Sequence, residues 1–296
     1  MTRILCVGVA VADFVFHLDK LPDRTEKYLA TEASIVGGGC AANAAVTIAR
    51  LGGDAMLATQ LGDDSIGEII LKDLVAERVD VSGVNCIPGG RSSYSSVFVD
   101  AAGERLVVNF PGARLSMQTD CFASLHNLDA VLVDSRRVKS AIEALKLARK
   151  IGVPGVLDGE EPIDHQLLSV VSHAAFSAQG LRSLMPELEL KDALSQVAAA
   201  YGCWACVTCG DQGVWYASNK AITHVPAVEV KVQDTLGAGD VWHGAFTMSL
   251  AEGNEEETAI RFANAAAAYK CMAFGGRKGA PTRKQLEAFM NGDKAK

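Results

Sequence analysis

The stretch Asp234-Thr235-Leu236-Gly237-Ala238-Gly239-Asp240 places two acidic residues on either side of a turn of small residues, and the apolar run Val241-Trp242-His243-Gly244-Ala245-Phe246 follows it. A turn that opens a helix presents backbone N–H groups without partners and the positive end of the helix dipole, which together are typical of an anion site. Asp240 stands at its mouth, where a carboxylate could take a proton from an attacking hydroxyl. This combination favours phosphoryl transfer. A glycine-containing loop that caps a helix is the alternative.

Composition narrows the class of protein. The chain has 296 residues, of which 49% are hydrophobic and 6% aromatic, with a net charge of −7. Plentiful small apolar residues favour helices packed closely on a sheet. The acidic balance argues against nucleic acid as a partner. Because no apolar run reaches membrane-spanning length and the N-terminus lacks a signal pattern, we expect a cytoplasmic protein without a membrane partner.

The cysteines raise one competing interpretation. Eight are scattered along the chain, which suits a reducing compartment. Cys203, Cys206 and Cys209 form two overlapping CxxC units and could indicate a thiol or metal protein. Residues 204–209, however, have the pattern of a buried strand, in which Cys206 would face away from the other two. No second Cys or His pair lies nearby to complete four ligands. We therefore interpret these cysteines as buried small hydrophobic residues.

The N-terminal run, residues 4–9, is predicted to be a buried central strand. The sequence after it, Gly8-Val9-Ala10-Val11-Ala12, lacks the GxGxxG pattern of a dinucleotide site, so a dehydrogenase is the least favoured class. Asp13 follows the carboxyl end of this strand, where open parallel sheets bind ligands. Its carboxylate could hold sugar hydroxyls, or it could be a solvated loop residue.

Two pairs of short strands interrupt an otherwise alternating α/β pattern. We predict that two insertions, at about residues 13–36 and 91–111, form one small β-sheet over the ligand edge of the main sheet. A lid is the natural use of such a sheet, because phosphoryl transfer must exclude water. The strands are predicted at residues 14–18, 28–36, 92–99 and 105–110.

The remaining pattern indicates one α/β domain over residues 1–296. Gly37-Gly38-Gly39-Cys40-Ala41-Ala42-Asn43 is predicted to open a helix, and its glycines would let the backbone approach a ligand closely. The alternative is that these small residues only let the helix pack tightly on the sheet. From residue 129 onward strands and helices alternate, which indicates a mainly parallel sheet with right-handed crossovers.

Two separated signatures resemble those of the ribokinase-like (PfkB) carbohydrate kinases. D-T-x-G-A-G-D-x-W-x-G-A-F at residues 234–246 resembles the C-terminal signature, and residues 37–67 resemble the N-terminal one. The resemblance covers nearly the whole chain. It implies a three-layer α/β/α sandwich with a small β-sheet lid, and an ATP-dependent sugar kinase. It also implies that Asp240 is the catalytic base and that the transferred phosphoryl group is stabilised by the amides of Gly237, Ala238 and Gly239.

The resemblance also assigns binding residues. The positions that match sugar-binding ones are Asp13, Gly38, Gly39 and Asn43. The positions that match nucleotide-binding ones are Thr208, Gly210, Gly213, Asn264 and Gly276. The loop at residues 275–280 resembles one that lies near adenine and, in some members, near a monovalent cation such as K⁺. Turns and caps are the alternative for each of the nucleotide positions.

One departure from the family concerns magnesium. Many members carry an N-x-x-E motif after a sheet strand, whereas the corresponding stretch Ser177-Ala178-Gln179-Gly180 lacks both residues. Mg²⁺ is still expected, because the charge of ATP must be balanced. We predict that Asp158, Glu160 and Glu161 hold it through water molecules. Solvated loop acids are the alternative.

Two cations and an amide, Lys27, Arg136 and Asn109, would suit an anionic group on the sugar. With residues 36–39, 156–159 and 173–177 they resemble the branch that phosphorylates 6-deoxy-6-sulfofructose at O1, in which they hold the sulfonate. Solvated surface charges are the alternative for Lys27 and Arg136.

Other functions and an assembly remain open at this point. The alternative substrates are a neutral ketohexose, ribose or a nucleoside, and a catalytically silent sugar- or nucleotide-binding regulator is a further possibility. The apolar strands at residues 97–99 and 106–108 could pair between subunits, so that we expect a homodimer through the small sheet.

Overall fold

Two sheets of very different size organise the computed structural model, which describes residues 1–115, 122, 125–218 and 221–292. The strands are β1 Arg3–Val7, β2 Val11–His17, β3 Glu32–Gly38, β4 Asp54–Gly62, β5 Val84–Ile87, β6 Ser93–Val99, β7 Arg105–Phe110, β8 Ala130–Asp134, β9 Gly155–Gly159, β10 His173–Ser177, β11 Trp204–Thr208, β12 Val214–Ser218 and β13 Ala221–Val225. The α-helices are α1 Cys40–Arg50, α2 Ser65–Ala76, α3 Val138–Ile151, α4 His165–Leu168, α5 Ala178–Leu184, α6 Leu190–Tyr201, α7 Ala238–Ala251, α8 Glu256–Cys271 and α9 Arg283–Met290. Short 3₁₀ turns lie at Gly210–Gln212 and Gly276–Gly279.

The main sheet has nine strands in the order β13-β12-β11-β10-β9-β8-β1-β4-β5. The strands from β11 to β5 are parallel to one another, and β12 and β13 are antiparallel at the far end. After β1 the chain builds outward through β4 and β5, and it then returns to place β8 on the other side of β1. The carboxyl ends of β1 and β8 therefore flank the switch point where open α/β sheets bind ligands.

Helices cover both faces of the main sheet. Ile4 and Cys6 of β1 face a core built with α1, α7 and α8, whereas Leu5 and Val7 face a second core built with α3, α5 and α6. This alternation is what a strand buried on both sides requires. The arrangement confirms the predicted three-layer α/β/α fold with a mainly parallel sheet.

The cysteine cluster follows the same alternation. Cys206 belongs to the first of these cores, while Cys203 belongs to the second and Cys209 packs against the second. The prediction that Cys206 faces away from its neighbours is therefore confirmed.

The small sheet joins four strands in the order β3-β2-β6-β7. β2 and β6 are parallel, and the two outer pairs are antiparallel. The predicted bounds of its first two strands, residues 14–18 and 28–36, were wrong. The two strands pair over residues 11–17 and 32–38, with Val11 opposite Gly38. Tyr28 lies instead in the connecting loop, where its hydroxyl accepts hydrogen bonds from the amides of Asp23 and Arg24 at 3.0 and 2.9 Å.

Register aligns polar residues across the small sheet. Asp13 of β2 lies opposite Ser95 of β6, which lies opposite Asn109 of β7. Because directly paired residues project from the same face of a sheet, these three side chains form one row. Among the described residues, no helix combines the length and apolar character needed to cross a membrane.

Candidate active site

Asp240 is fixed at the start of α7. Gly237 caps this helix with a positive φ of 73°, a conformation that glycine adopts without strain. Asp240 is the third residue of the helix, and its Oδ2 accepts a hydrogen bond of 2.5 Å from Asn43 Nδ2. Asn43 belongs to α1, which packs against α7. The two predicted signatures therefore meet at this carboxylate, at the N-terminus of a helix whose first amide, that of Ala238, donates to Thr235 O at 3.1 Å.

The surroundings of Asp240 tune its acidity. Burial raises the pKa of Asp240 to about 7, the hydrogen bond from Asn43 opposes this rise, and the negative charge of Glu160 adds to it. At neutral pH the carboxyl group is therefore able both to accept and to release a proton, which suits a general base.

A buried arginine orients Asn43. Arg277 is 2% exposed, and its Nη1 donates to Asn43 Oδ1 at 3.2 Å, so that the amide turns its NH₂ group toward Asp240. The other guanidinium nitrogen, Nη2, is paired with Asp73. Gly37 makes room for this pair, since a Cβ there would lie 1.8 Å from Arg277 Nη2. The sequence pattern did not assign a role to Arg277, because the only signal was a charged residue within a glycine-rich loop.

Asp13 lies against the β3–α1 junction. A Cβ on Gly38 would lie 2.1 Å from Asp13 Oδ2, so only glycine leaves the carboxylate in place. Burial raises the pKa of Asp13, while a hydrogen bond from Ser95 and the charge of Arg277 act in the opposite direction. Asn109 Nδ2 donates to Ser95 Oγ at 3.0 Å. Ser95 was missed by the sequence analysis, since only strand register shows that it links these two residues.

Gly39 makes the turn between β3 and α1. It caps α1 with a φ of 91°, and a Cβ there would lie 2.5 Å from the backbone oxygen of Val9. This position requires glycine both for its backbone conformation and for the close approach of the strand.

Acidic groups gather behind the predicted base. Asp134 accepts hydrogen bonds from the amides of Val9 and Arg136 at 2.7 and 3.0 Å. Asp158 is 2% exposed, and within the described part of the chain its Oδ1 has no hydrogen-bond partner, although His243 Nδ1 lies 3.5 Å away. Burial raises the pKa of both carboxyl groups, and for Asp158 the charges of Glu160 and other neighbouring acids raise it further. Their mutual repulsion would be relieved by a cation.

A group of potential metal ligands surrounds Asp240. One ligand atom from each of Cys40, Asp158 and Asp240 lies within 4.8 Å of the others. Cys40 Sγ donates to Glu160 Oε2 at 3.8 Å, which brings Glu160 to the same place. Because Asp158 has an unpartnered carboxylate oxygen, Asp158 and Glu160 are a donor set that a hydrated Mg²⁺ could use. Cys40 was not singled out from the sequence.

The side chains of the stretch that replaces N-x-x-E make hydrogen bonds within the protein. Ser177 Oγ accepts a hydrogen bond from Gly180 N at 3.0 Å and so caps α5. Gln179 Nε2 donates to Glu161 Oε2 at 3.1 Å. Glu161 is exposed and is directed toward Gln179, so among the three predicted acids it has the weakest case as a metal residue.

The three residues predicted to hold a sulfonate lie in separate surroundings. Arg136 Nη1 donates to the backbone oxygen of Glu161 at 2.7 Å, and Nη2 lies 3.3 Å from Glu160 Oε2. Lys27 is exposed in the loop between β2 and β3. No hydrogen bond within the described ranges joins Lys27, Asn109 and Arg136 to one another.

The predicted nucleotide residues lie on turns and a helix of the C-terminal half. Thr208 ends β11 and donates to Phe176 O at 3.3 Å. Gly210 and Gly213 frame a 3₁₀ turn with φ values of 57° and 84°. The amide of Asn264 is engaged within the protein, since its Oδ1 accepts from Trp242 Nε1 at 2.8 Å and its Nδ2 donates to a backbone oxygen at 2.9 Å.

Gly276 is the fifth predicted nucleotide residue. Its amide donates to Asp234 Oδ2 at 3.1 Å, so the loop that carries it is tied to the residue that opens the C-terminal signature.

This fold and site define an α/β phosphotransferase of the ribokinase-like class. A family model described as "pfkB family carbohydrate kinase" matches residues 1–283. The chain therefore belongs to the pfkB family of carbohydrate kinases, as its two signatures predicted.

Individual relatives are similar to this chain over nearly their full lengths. The chain is 30% identical to a ribokinase of Bacillus subtilis over 98% of this chain and 100% of that protein. It is 28% identical to an ATP-dependent ribose-1-phosphate kinase of Halopiger xanaduensis over 98% of this chain and 99% of that one. The crystal structure of a putative ribokinase from Agrobacterium tumefaciens matches with a TM-score of 0.92 and 36% identity, covering 100% of this chain and 99% of that one.

Proposed function

We propose that this protein transfers the γ-phosphoryl group of ATP to a hydroxyl group of a sugar, with Asp240 as the general base. The observation that carries the proposal is the position of Asp240. Its carboxylate lies at the N-terminus of α7, is oriented by Asn43, and has a pKa raised to about 7. Family membership supports the same reaction class.

The residues divide the reaction between them. Asp13 and Asn43, with the backbone at Gly38 and Gly39, would hold the sugar so that one hydroxyl reaches Asp240. Asp240 accepts the hydroxyl proton as that oxygen bonds to the γ-phosphorus, and the bond from phosphorus to the β–γ bridging oxygen breaks to leave ADP.

The start of α7 supports this step electrostatically. The amides of Gly237 and Gly239 and the helix dipole would stabilise charge on the transferring group. The amide of Ala238, which was predicted to join them, donates to Thr235 O at 3.1 Å and would have to leave that oxygen first. A magnesium ion near Asp158 and Glu160 would balance the charge of the nucleotide phosphates.

The nucleotide would lie along the C-terminal half. Thr208, Gly210, Gly213 and Gly276 would offer backbone to the nucleotide, and Asn264 would act by holding Trp242 and the backbone at residue 226. We also propose that residues 1–296 form one domain and that the small sheet, with residues 13–36 and 91–111, is its lid.

For the sugar, we propose 6-deoxy-6-sulfofructose, phosphorylated at O1. The row Asp13–Ser95–Asn109 gives a polar surface on the small sheet, and Lys27 and Arg136 are exposed cations that could reach a bound anionic sugar. Arg136 would exchange its contact with Glu160 for the sulfonate, which its bidentate guanidinium suits. The name of the Halopiger relative gives ribose 1-phosphate as its substrate, which supports an anionic sugar as a candidate by analogy.

A panel of sugars tests both the proposed kinase reaction and the proposed sugar. ADP release would be followed with ATP, Mg²⁺ and either sulfofructose, fructose, fructose 6-phosphate, ribose or adenosine. We expect the highest kcat/KM with sulfofructose, and we expect Arg136→Met to raise the KM for sulfofructose much more than that for fructose. Lys139→Met, which removes an exposed cation from α3, is the matched control.

Ribose is the second candidate substrate, because the Bacillus subtilis relative at 30% identity is a ribokinase. Preferred turnover of ribose, unaffected by Arg136→Met, would decide for it and against an anionic substrate. Absence of ADP release with every sugar would reject the kinase and favour a silent binding protein.

We further propose that the small sheet joins two copies of the chain. β7 is an edge strand, and Val107 and Val108 on its opposite faces are 54% and 60% exposed. An apolar edge strand with unpaired backbone groups is a ready surface for another strand.

A further inference from the structure

Lys270 carries a charged group into the interior beside the candidate active site. It lies in the last turn of α8, and its side chain is 0% exposed. Lysine is almost never fully buried unless it is paired. Here Nζ donates to the backbone oxygen of Asp234 at 2.6 Å and lies 3.2 Å from Asp234 Oδ2. One residue therefore supplies both oxygens that the ammonium group contacts.

Asp234 is the centre of a network that needs this counter-charge. Its Oδ1 accepts from Leu236 N at 2.8 Å, and its Oδ2 accepts from Gly275 N and Gly276 N at 3.1 Å each. Burial would raise the pKa of Asp234, but these hydrogen bonds and the ammonium of Lys270 hold it below its ordinary value. The carboxylate thus stays charged, and Lys270 contacts both the side chain and the backbone oxygen of Asp234.

The network leads directly to the predicted phosphoryl cradle. Asp234 stands three residues before Gly237, the cap of α7. Leu236 packs near Gly276, since a Cβ added to Gly276 would lie 3.5 Å from Leu236 Cδ2. Arg105 of β7 adds a second cation on the outer side, with Nη2 at 3.5 Å from Asp234 Oδ1. A change at Lys270 would therefore move the loop that sets the first turn of α7.

The two oxygens of Asp234 that contact Lys270 are also the kind of oxygens that a free monovalent cation would bind. A backbone carbonyl and a carboxylate are typical ligands of hard cations. The loop at residues 275–280, which was predicted to lie near such a cation, donates its amides to Asp234, and the ammonium of Lys270 already lies on the two oxygens of that residue. A separate K⁺ ion does not fit this arrangement.

We propose that Lys270 is a built-in monovalent cation, which positions the loop at residues 234–237 and makes phosphoryl transfer independent of K⁺. The inference rests on the proposed kinase activity, but it concerns a positioning residue and not a group that touches the reacting atoms. It also predicts how the enzyme would behave if the ammonium were removed.

The first test uses the unaltered protein. ADP release would be measured with the chloride salts of K⁺, Na⁺ and tetramethylammonium at constant ionic strength. We expect the same rate in all three. Strong activation by K⁺ over tetramethylammonium would overturn the proposal.

The second test uses Lys270→Ala, which leaves space where the ammonium stood. We expect kcat to fall about 100-fold through misplacement of the loop. K⁺ or propylammonium should restore much of this loss, because each can place a positive charge beside Asp234, whereas tetramethylammonium should not. Lys284→Ala on α9, where the lysine is exposed, should match the wild type in every salt. A loss that no cation reverses would show a merely structural role and overturn the proposal.

Thermal unfolding gives a readout that needs no substrate. The Tm of Lys270→Ala should rise with K⁺ relative to tetramethylammonium, while that of the wild type should not. If the wild type turned over no sugar, the proposed function would fail and this measurement would still decide about Lys270. If Lys270→Ala did not fold, the wild type alone would test the proposal, since its rate and its Tm should both be independent of the cation.

Discussion

At the scale of single residues, the acidity of Asp240 is set by neighbours that act in opposite directions. Burial raises the pKa of its carboxyl group to about 7, Asn43 stabilises the charged form by donating to it, and Glu160 destabilises that form through its own negative charge. A base with a pKa near the working pH transfers protons most effectively. The same balance can be shifted by exchanging one neighbour at a time.

Asp240→Asn should greatly slow turnover without disrupting the fold. The new amide keeps the shape of the side chain, but it cannot accept the hydroxyl proton, so kcat should fall about 10²–10⁴-fold. ATP binding, measured by calorimetry, should remain, because the backbone amides at the start of α7 are unchanged. A variant with wild-type turnover would contradict the assignment of Asp240 as the base.

The pH profile should report the same carboxyl group. Because the charged form is the active base, kcat/KM should rise with pH through about 7. Glu160→Gln removes a negative charge and lowers the pKa of Asp240, which shifts the rise to lower pH. Asn43→Ala removes a hydrogen bond to the charged form and shifts the rise to higher pH. Glu143→Gln, a change on the surface of α3, serves as the control. Identical midpoints in all four proteins would show that another group titrates.

At the scale of elements, the β3–α1 junction shows why the glycines of the N-terminal signature stand where they do. Gly37 and Gly38 end a strand and Gly39 starts a helix, so each has a different neighbour: Arg277, Asp13 and Val9. The sequence predicted that glycines here let the backbone approach a ligand closely, and this stays a prediction. The structure adds that Gly37 and Gly38 make room for the side chains of Arg277 and Asp13.

Gly38→Ala should therefore displace Asp13. A Cβ at this position would lie 2.1 Å from Asp13 Oδ2, so the carboxylate has to move. We expect a higher KM for the sugar, little change in the KM for ATP, and a loss of about 1–3 kcal/mol in the free energy of unfolding. Steady-state kinetics and denaturant unfolding would measure these effects. Ser34→Ala on the same strand is the control, and an unchanged sugar KM in Gly38→Ala would separate Asp13 from sugar binding.

At the scale of the whole molecule, the fold was predictable because its signals are local. Buried runs such as residues 4–9 and the strand–helix alternation after residue 129 each specify an element from adjacent residues. Strand bounds were less predictable, since Tyr28 belongs to a β-like run but uses its hydroxyl to close a turn. The turn at Gly237–Asp240 was found because its pattern is contiguous.

The residues that contact the candidate site from distant parts of the chain could not be predicted from local sequence patterns. Arg277 contacts Asn43 across 234 positions of the chain, and Cys40 contacts Glu160 across 120. Ser95 enters its row only through the register of β2, β6 and β7. No local pattern marks these pairings, because they arise when separate layers pack together.

Assembly through the small sheet is the prediction that involves the molecule as a whole. Val107 and Val108 expose apolar surface on both faces of edge strand β7, and a second copy would bury that surface and pair its backbone. We expect light scattering after size exclusion to give a dimer, and Val107→Lys with Val108→Lys to give a folded monomer with a raised KM for the sugar, because the row that includes Asn109 lies on the same strand. Val75→Lys, at a 57% exposed position on α2, should leave the dimer intact. A monomeric wild type at micromolar concentration, or a variant that still dimerises, would place any interface elsewhere.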